Sequence, residues 1–94
     1  MTLLKRFLIE REIPGIGGMS PIELCGAAKA SNQAIEKLGP NVQWQHSYVA
    51  GEKTFCIYLA KDEATIHRHA ELSGIPATSI TEVVSIIDPL TANN

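Results

Sequence analysis

The chain has no long apolar run. Its unbroken hydrophobic stretches last only a few residues, whereas a membrane-spanning helix needs about twenty. It also has no excess charge of one sign. Eight Lys and Arg against ten Asp and Glu leave a net charge of −2, which steers it toward neither nucleic acid nor an anionic membrane. Cysteine is scarce. Cys25 and Cys56 stand far apart with no CxxC pair, and they are expected to be two reduced, buried thiols of a cytosolic protein. The first ten residues, MTLLKRFLIE, are charged too early for a signal peptide, which also predicts a cytoplasmic location. There is no Walker loop and no dinucleotide fingerprint, and Gly15-Ile16-Gly17-Gly18 is too loose to count as either, so no organic cofactor is indicated. No internal repeat, low-complexity tract or linker interrupts the chain.

What remains is a regular alternation of elements in 94 residues, enough for one domain with a small core. That domain is expected over 1–94, with its core over about 3–88 and a short tail over 89–94. Leu3 to Ile13 reads as a strand, broken by Pro14-Gly15. Ser20-Pro21-Ile22-Glu23 is a capping box with proline at the first helical position. Leu24, Ala28, Ser31, Ile35 and Leu38 then follow one stripe of a 3.6-residue period, and Gly39-Pro40 stops the helix. Val42 to Ala50 and Lys53 to Ala60 form a hairpin around Gly51-Glu52. Asp62 caps a second helix whose inner stripe is Ile66, His69, Ala70 and Ser73, and Gly74 with Pro76 ends it. Ile80 to Ile87 is the last strand. The order βαββαβ predicts an α+β, ferredoxin-like sandwich: a four-stranded antiparallel sheet with two helices on one face.

Two helices cover one face only, yet alternation leaves this sheet apolar on both. With Gly51-Glu52 as the turn, Tyr48 opposes Phe55, His46 opposes Ile57 and Trp44 opposes Leu59. These six share one face. Ser47, Val49, Cys56, Tyr58 and Ala60 share the other, the small-residue face expected under the helices. The last strand is apolar on both sides, with Ile80, Val84 and Ile86 against Val83 and Ile87. An uncovered patch of this kind predicts a homodimer closed through the open sheet face.

All three histidines fall in the second half of the chain. His46 lies between Trp44 and Tyr48 on the aromatic face. It reads as a ligand or general base of a pocket, or as a histidine hydrogen-bonded in an interface. His69 falls on the inner stripe of the second helix, where a core histidine bonded to a carbonyl is the ordinary reading. His46, Tyr48, Tyr58 and His69 are the candidate ligand-binding residues. His46 and His69, with Glu10 or Glu82 as oxygen donor, are the candidate metal ligands. Glu63, His67 and Glu71 make an outward row on the second helix, a weaker metal candidate and more often a solvated face. Glu10, Arg11 and Glu12 otherwise read as ordinary charge at a strand end.

The chain resembles a family of short bacterial proteins of undefined function, one branch of which is nickel-binding or nickel-responsive. The pieces that carry the resemblance are Phe7-Leu8-Ile9-Glu10-Arg11-Glu12 with Pro14-Gly15, Trp44 through Val49, and Lys53 through Tyr58. They continue in His69-Ala70, Gly74-Ile75-Pro76, Ile80-Thr81-Glu82-Val83 and Asp88-Pro89. Gly17-Gly18-Met19 looks like extra length in the first loop. The resemblance implies a ferredoxin-like fold, a dimer and a divalent transition metal such as nickel. Two other readings stand beside it. One is a small enzyme of the monooxygenase or isomerase type, which would need a pocket with His46 or His69 beside Tyr48 or Tyr58. The other is a structural or regulatory binding module without catalysis.

Overall fold

In the computed structural model, four strands and two long helices follow one another as the spacing predicts: β1 (Lys5–Glu12), α1 (Pro21–Leu38), β2 (Val42–Ala50), β3 (Lys53–Ala60), α2 (Glu63–Ser73) and β4 (Ser79–Glu82). The structure describes residues 3–93, so Met1, Thr2 and Asn94, the ends of the expected domain, lie outside the described residues. The strands form one antiparallel sheet in the order β2-β3-β1-β4, with β1 and β3 at the centre. This is the ferredoxin-like topology.

Local chemistry sets the element ends. The Ser20 hydroxyl accepts from the Glu23 N–H while the Glu23 carboxylate accepts from the Ser20 N–H, so the capping box at α1 is complete. At α2 the Asp62 carboxylate accepts from both the backbone N–H and the hydroxyl of Thr65. Those two bonds hold its pKa below the usual carboxylate value. Gly51, at φ +63°, opens the two-residue turn between β2 and β3.

The helices lie over the face that carries Cys56, Tyr58 and Ala60, as expected. Phe7, Ile9, Val42, Cys56, Tyr58, Ala60 and Ile66 form the core, with Ile35, Leu38, Trp44 and Ile80 packed around it. The open face presents Leu8, Phe55, Ile57 and Leu59, all half-buried, and an exposed Tyr48.

Three expectations are corrected. Trp44 does not oppose Leu59 on the aromatic face. Gln45 is an extra residue in β2, so His46 pairs with Ile57 and Trp44 with Tyr58. A β-bulge shifts the alternation by one and turns the indole to the helix side, where it stacks on Tyr58 at 6.2 Å. The last strand ends at Glu82, not Ile87. The Val83 N–H bonds the Arg6 carbonyl, but the β1 ladder begins at Lys5 and offers little beyond it. Val84, Ile86 and Ile87 are therefore exposed. Cys25 is exposed, because it points away from the buried side of α1, whereas Cys56 is buried as expected.

Candidate functional site

Alternation along β1 puts Phe7, Ile9 and Arg11 on the helix side of the sheet. Arg11 is therefore buried at 2% exposure. One guanidinium nitrogen, Nη1, donates to the carbonyls of Ile75 and Pro76 at 2.9 Å each, tying the loop after α2 to β1. Nη2 has no partner, and among the described residues no carboxylate pairs with Arg11. The guanidinium carbon lies 5.9 Å from the centroid of the Tyr58 ring, within reach of a cation–π contact.

Tyr58, Ser31 and His69 form a buried chain. Ser31 Oγ lies 2.9 Å from the Tyr58 hydroxyl and 3.1 Å from His69 Nε2. The two rings meet edge to face at 4.9 Å. Ser31 comes from the α1 stripe, His69 from the α2 stripe and Tyr58 from β3, so the chain ties both helices to the sheet. Burial, reinforced by the positive charge of Arg11, pushes the His69 pKa down to about 4, and the imidazole is neutral near pH 7. Burial likewise raises the Tyr58 pKa, so its phenol stays protonated. His69 Nδ1 has no partner. A bare lone pair there costs less than an orphaned N–H, which selects the Nε2–H tautomer. His69 then donates to Ser31 Oγ, and at the Tyr58 end of the chain either hydroxyl can donate to the other.

That end borders a cavity of about 190 Å³ between α1 and the sheet. Arg11, Ser31, Thr54 and Tyr58 supply its polar edge, and Ile16, Leu24, Ala28 and Trp44 much of its apolar wall. The first loop serves it too, through Ile13 and Ile16. Ile16 begins a 3₁₀ turn over Ile16–Gly18 that is pressed against the β2–β3 hairpin. A Cβ at Gly17 would collide with the Gly51 carbonyl oxygen. A half-open, mostly apolar cleft with a few convergent polar groups is a usual form of small-molecule site.

The structure sorts the candidate residues into two groups. Tyr58 and His69 meet on the helix side. His46 and Tyr48 meet on the open face, with ring centroids 5.1 Å apart. The sheet separates the pairs. Glu10 also lies toward the open face, where its carboxylate accepts from Lys53 at 2.8 Å, a bond that raises the Lys53 pKa. Glu82 pairs with Phe7 at the sheet edge and is exposed. Glu63, His67 and Glu71 are all exposed on α2, with Arg68 bonded to Glu71. Among the described residues, no three His, Cys, Asp or Glu stand together as a metal cluster. Sequence reasoning passed over Arg11, Ser31 as a polar link, and Trp44 as a cavity wall. For Arg11 the signal was present, since it continues the Phe7, Ile9 alternation. For Trp44 nothing announced the bulge.

Among the described residues no helix is long and apolar enough to cross a membrane. The family model described as "Nickel responsive protein SCO4226-like" matches residues 7–83. A crystal structure of SCO4226 from Streptomyces coelicolor A3(2) is similar with a TM-score of 0.71 and 24% identity, covering 87% of this chain and 99% of that one. No match was found among the curated proteins.

Proposed function

The chain belongs to the family of nickel-responsive SCO4226-like proteins, and on that premise we propose that it is a cytoplasmic, homodimeric small-molecule-binding protein whose ligand enters the cavity between α1 and the sheet. One observation carries this reading: the cavity ends on buried polar groups whose bonding capacity is incompletely used, Arg11 Nη2 above all. Buried polar groups are normally satisfied, and a ligand is the simplest source of the missing partner. Ser31 links the neutral His69 to the Tyr58 hydroxyl. The same chain is suited to relaying a proton, which keeps a monooxygenase- or isomerase-like activity as the catalytic extension of this reading.

Small ring compounds added to ¹⁵N-labelled protein should shift the Trp44 indole N–H and the Ser31 amide, and Ala28→Leu, which fills the space, should remove those shifts. A compound set that leaves both signals in place would overturn the reading.

The family description names nickel, and the residues of one protomer do not fit a nickel site. His46 and His69 lie on opposite sides of the sheet, Glu10 is engaged by Lys53, and among the described residues no cluster of three donors exists. The metal reading therefore rests on two copies. His46 is exposed on the face that a second copy would cover, so two-fold symmetry would bring imidazoles from both protomers to one interface. Calorimetric titration with Ni²⁺ should give heat that His46→Ala removes and His69→Ala retains; the reverse pattern would sink the interface site.

A further inference from the structure

Arg11 poses a question of charge. A guanidinium does not lose its proton in a protein, so this side chain, 2% exposed, carries its positive charge among apolar walls. Buried charges are ordinarily paired. Here two backbone carbonyls occupy Nη1, Nη2 is free, and among the described residues no Asp or Glu lines the cavity. The Tyr58 hydroxyl, whose bond to Ser31 can run in either direction, borders the same space and can turn its proton toward a ligand. A free guanidinium nitrogen, a hydroxyl and one positive charge without a carboxylate partner thus meet at a half-open pocket.

We propose that the cavity takes a small monocarboxylic acid with a compact apolar body, its carboxylate on Arg11 and Tyr58 and its body against Leu24, Ala28 and Trp44. This deepens the cavity reading above and rests on it. A carboxylate suits a planar guanidinium with spare donors and supplies one negative charge to one positive charge. Inorganic phosphate fits worse, because the few hydroxyls of the polar edge face walls that are otherwise aliphatic and aromatic, too few donors for its charge and four oxygens. Size limits the body to about one ring: a cavity of about 150 Å³ holds benzene, and this one is about 190 Å³.

Trp44 is the sole tryptophan of the chain and lines the cavity, so its fluorescence reports binding directly. Benzoate should change that emission with an affinity about tenfold or more above that of benzyl alcohol, the increment a charged hydrogen-bonded pair supplies. Phosphate should not compete. Arg11→Met should bring benzoate down to the level of benzyl alcohol, and Ala28→Leu should weaken both. Tyr58→Phe should weaken benzoate several-fold with benzyl alcohol unchanged, and this keeps the test decisive if Arg11→Met does not fold. Equal affinity for benzoate and benzyl alcohol in the unmodified protein would overturn the acid while leaving the cavity reading intact. No response to either compound would overturn both. Competition by phosphate at the same concentrations as benzoate would overturn the apolar-bodied class.

Discussion

A neutral histidine beside a buried arginine makes stability depend on pH. His69 is held near pKa 4 in the folded state against an ordinary 6.5. Between these values the unfolded chain binds a proton that the native chain does not, so stability rises with pH across the window. It is fully present above about pH 6.5 and is lost as the pH falls toward 4, by about 3 kcal/mol for the whole shift. Urea unfolding from pH 7 to pH 4 should show that loss, and His69→Gln should flatten it. A wild-type slope equal to the variant's would refute the assignment. His69 itself was legible because helical spacing put it on the inner stripe with Ile66. Its partner was not, because a hydroxyl on the stripe of α1 and a phenol on β3 come together only through tertiary packing. Arg11 was hidden by its own chemistry: between Glu10 and Glu12, it reads as surface charge.

At the scale of elements, punctuation carried the reading. Ser20-Pro21, Gly39-Pro40, Gly51 and Asp62 each mark an end where the structure has one. The errors came where pairing, not local sequence, decides. Gln45 adds one residue to β2 that no residue type betrays, and β4 ends at Glu82, near the start of β1, rather than where its apolar residues end. The loop before α1 is a packed part and not slack. Gly17→Ala should force the 3₁₀ turn away from the hairpin, because a backbone oxygen cannot yield as a side chain would. A loss of about 1–3 kcal/mol in chemical denaturation, typical of overpacking, is the expected outcome. An unchanged midpoint would mean that the turn does not press on Gly51.

The whole molecule leaves one sheet face bare. Leu8, Phe55, Ile57 and Leu59 lie there half-buried beside an exposed Tyr48, and a second copy placed face to face would dry them. Sedimentation should report a dimer at micromolar concentration. Ile57→Glu should give a folded monomer, since the new charge would be desolvated at the interface. A monomeric wild type would refute the assembly. The architecture was legible because strand alternation, helical period and right-handed connection leave few ways to arrange βαββαβ. The site was less so, since the small cavity forms where α1 and the first loop meet the sheet and no single segment encodes it.

The strand order has a consequence in time. β1 leaves the ribosome first but belongs at the centre of the sheet, between β3 and β4. Its two neighbours are made last, so the nascent chain must carry Phe7 and Ile9 unpaired until Ala60 and then Glu82 have emerged. The local β2–β3 hairpin can close early, whereas β1 joins only by long-range search, the slow step for sheets of this kind. Arg11 travels on that waiting strand. The charged end of the cavity therefore waits until β3 has paired with β1 and the carbonyls of Ile75 and Pro76 have met the guanidinium.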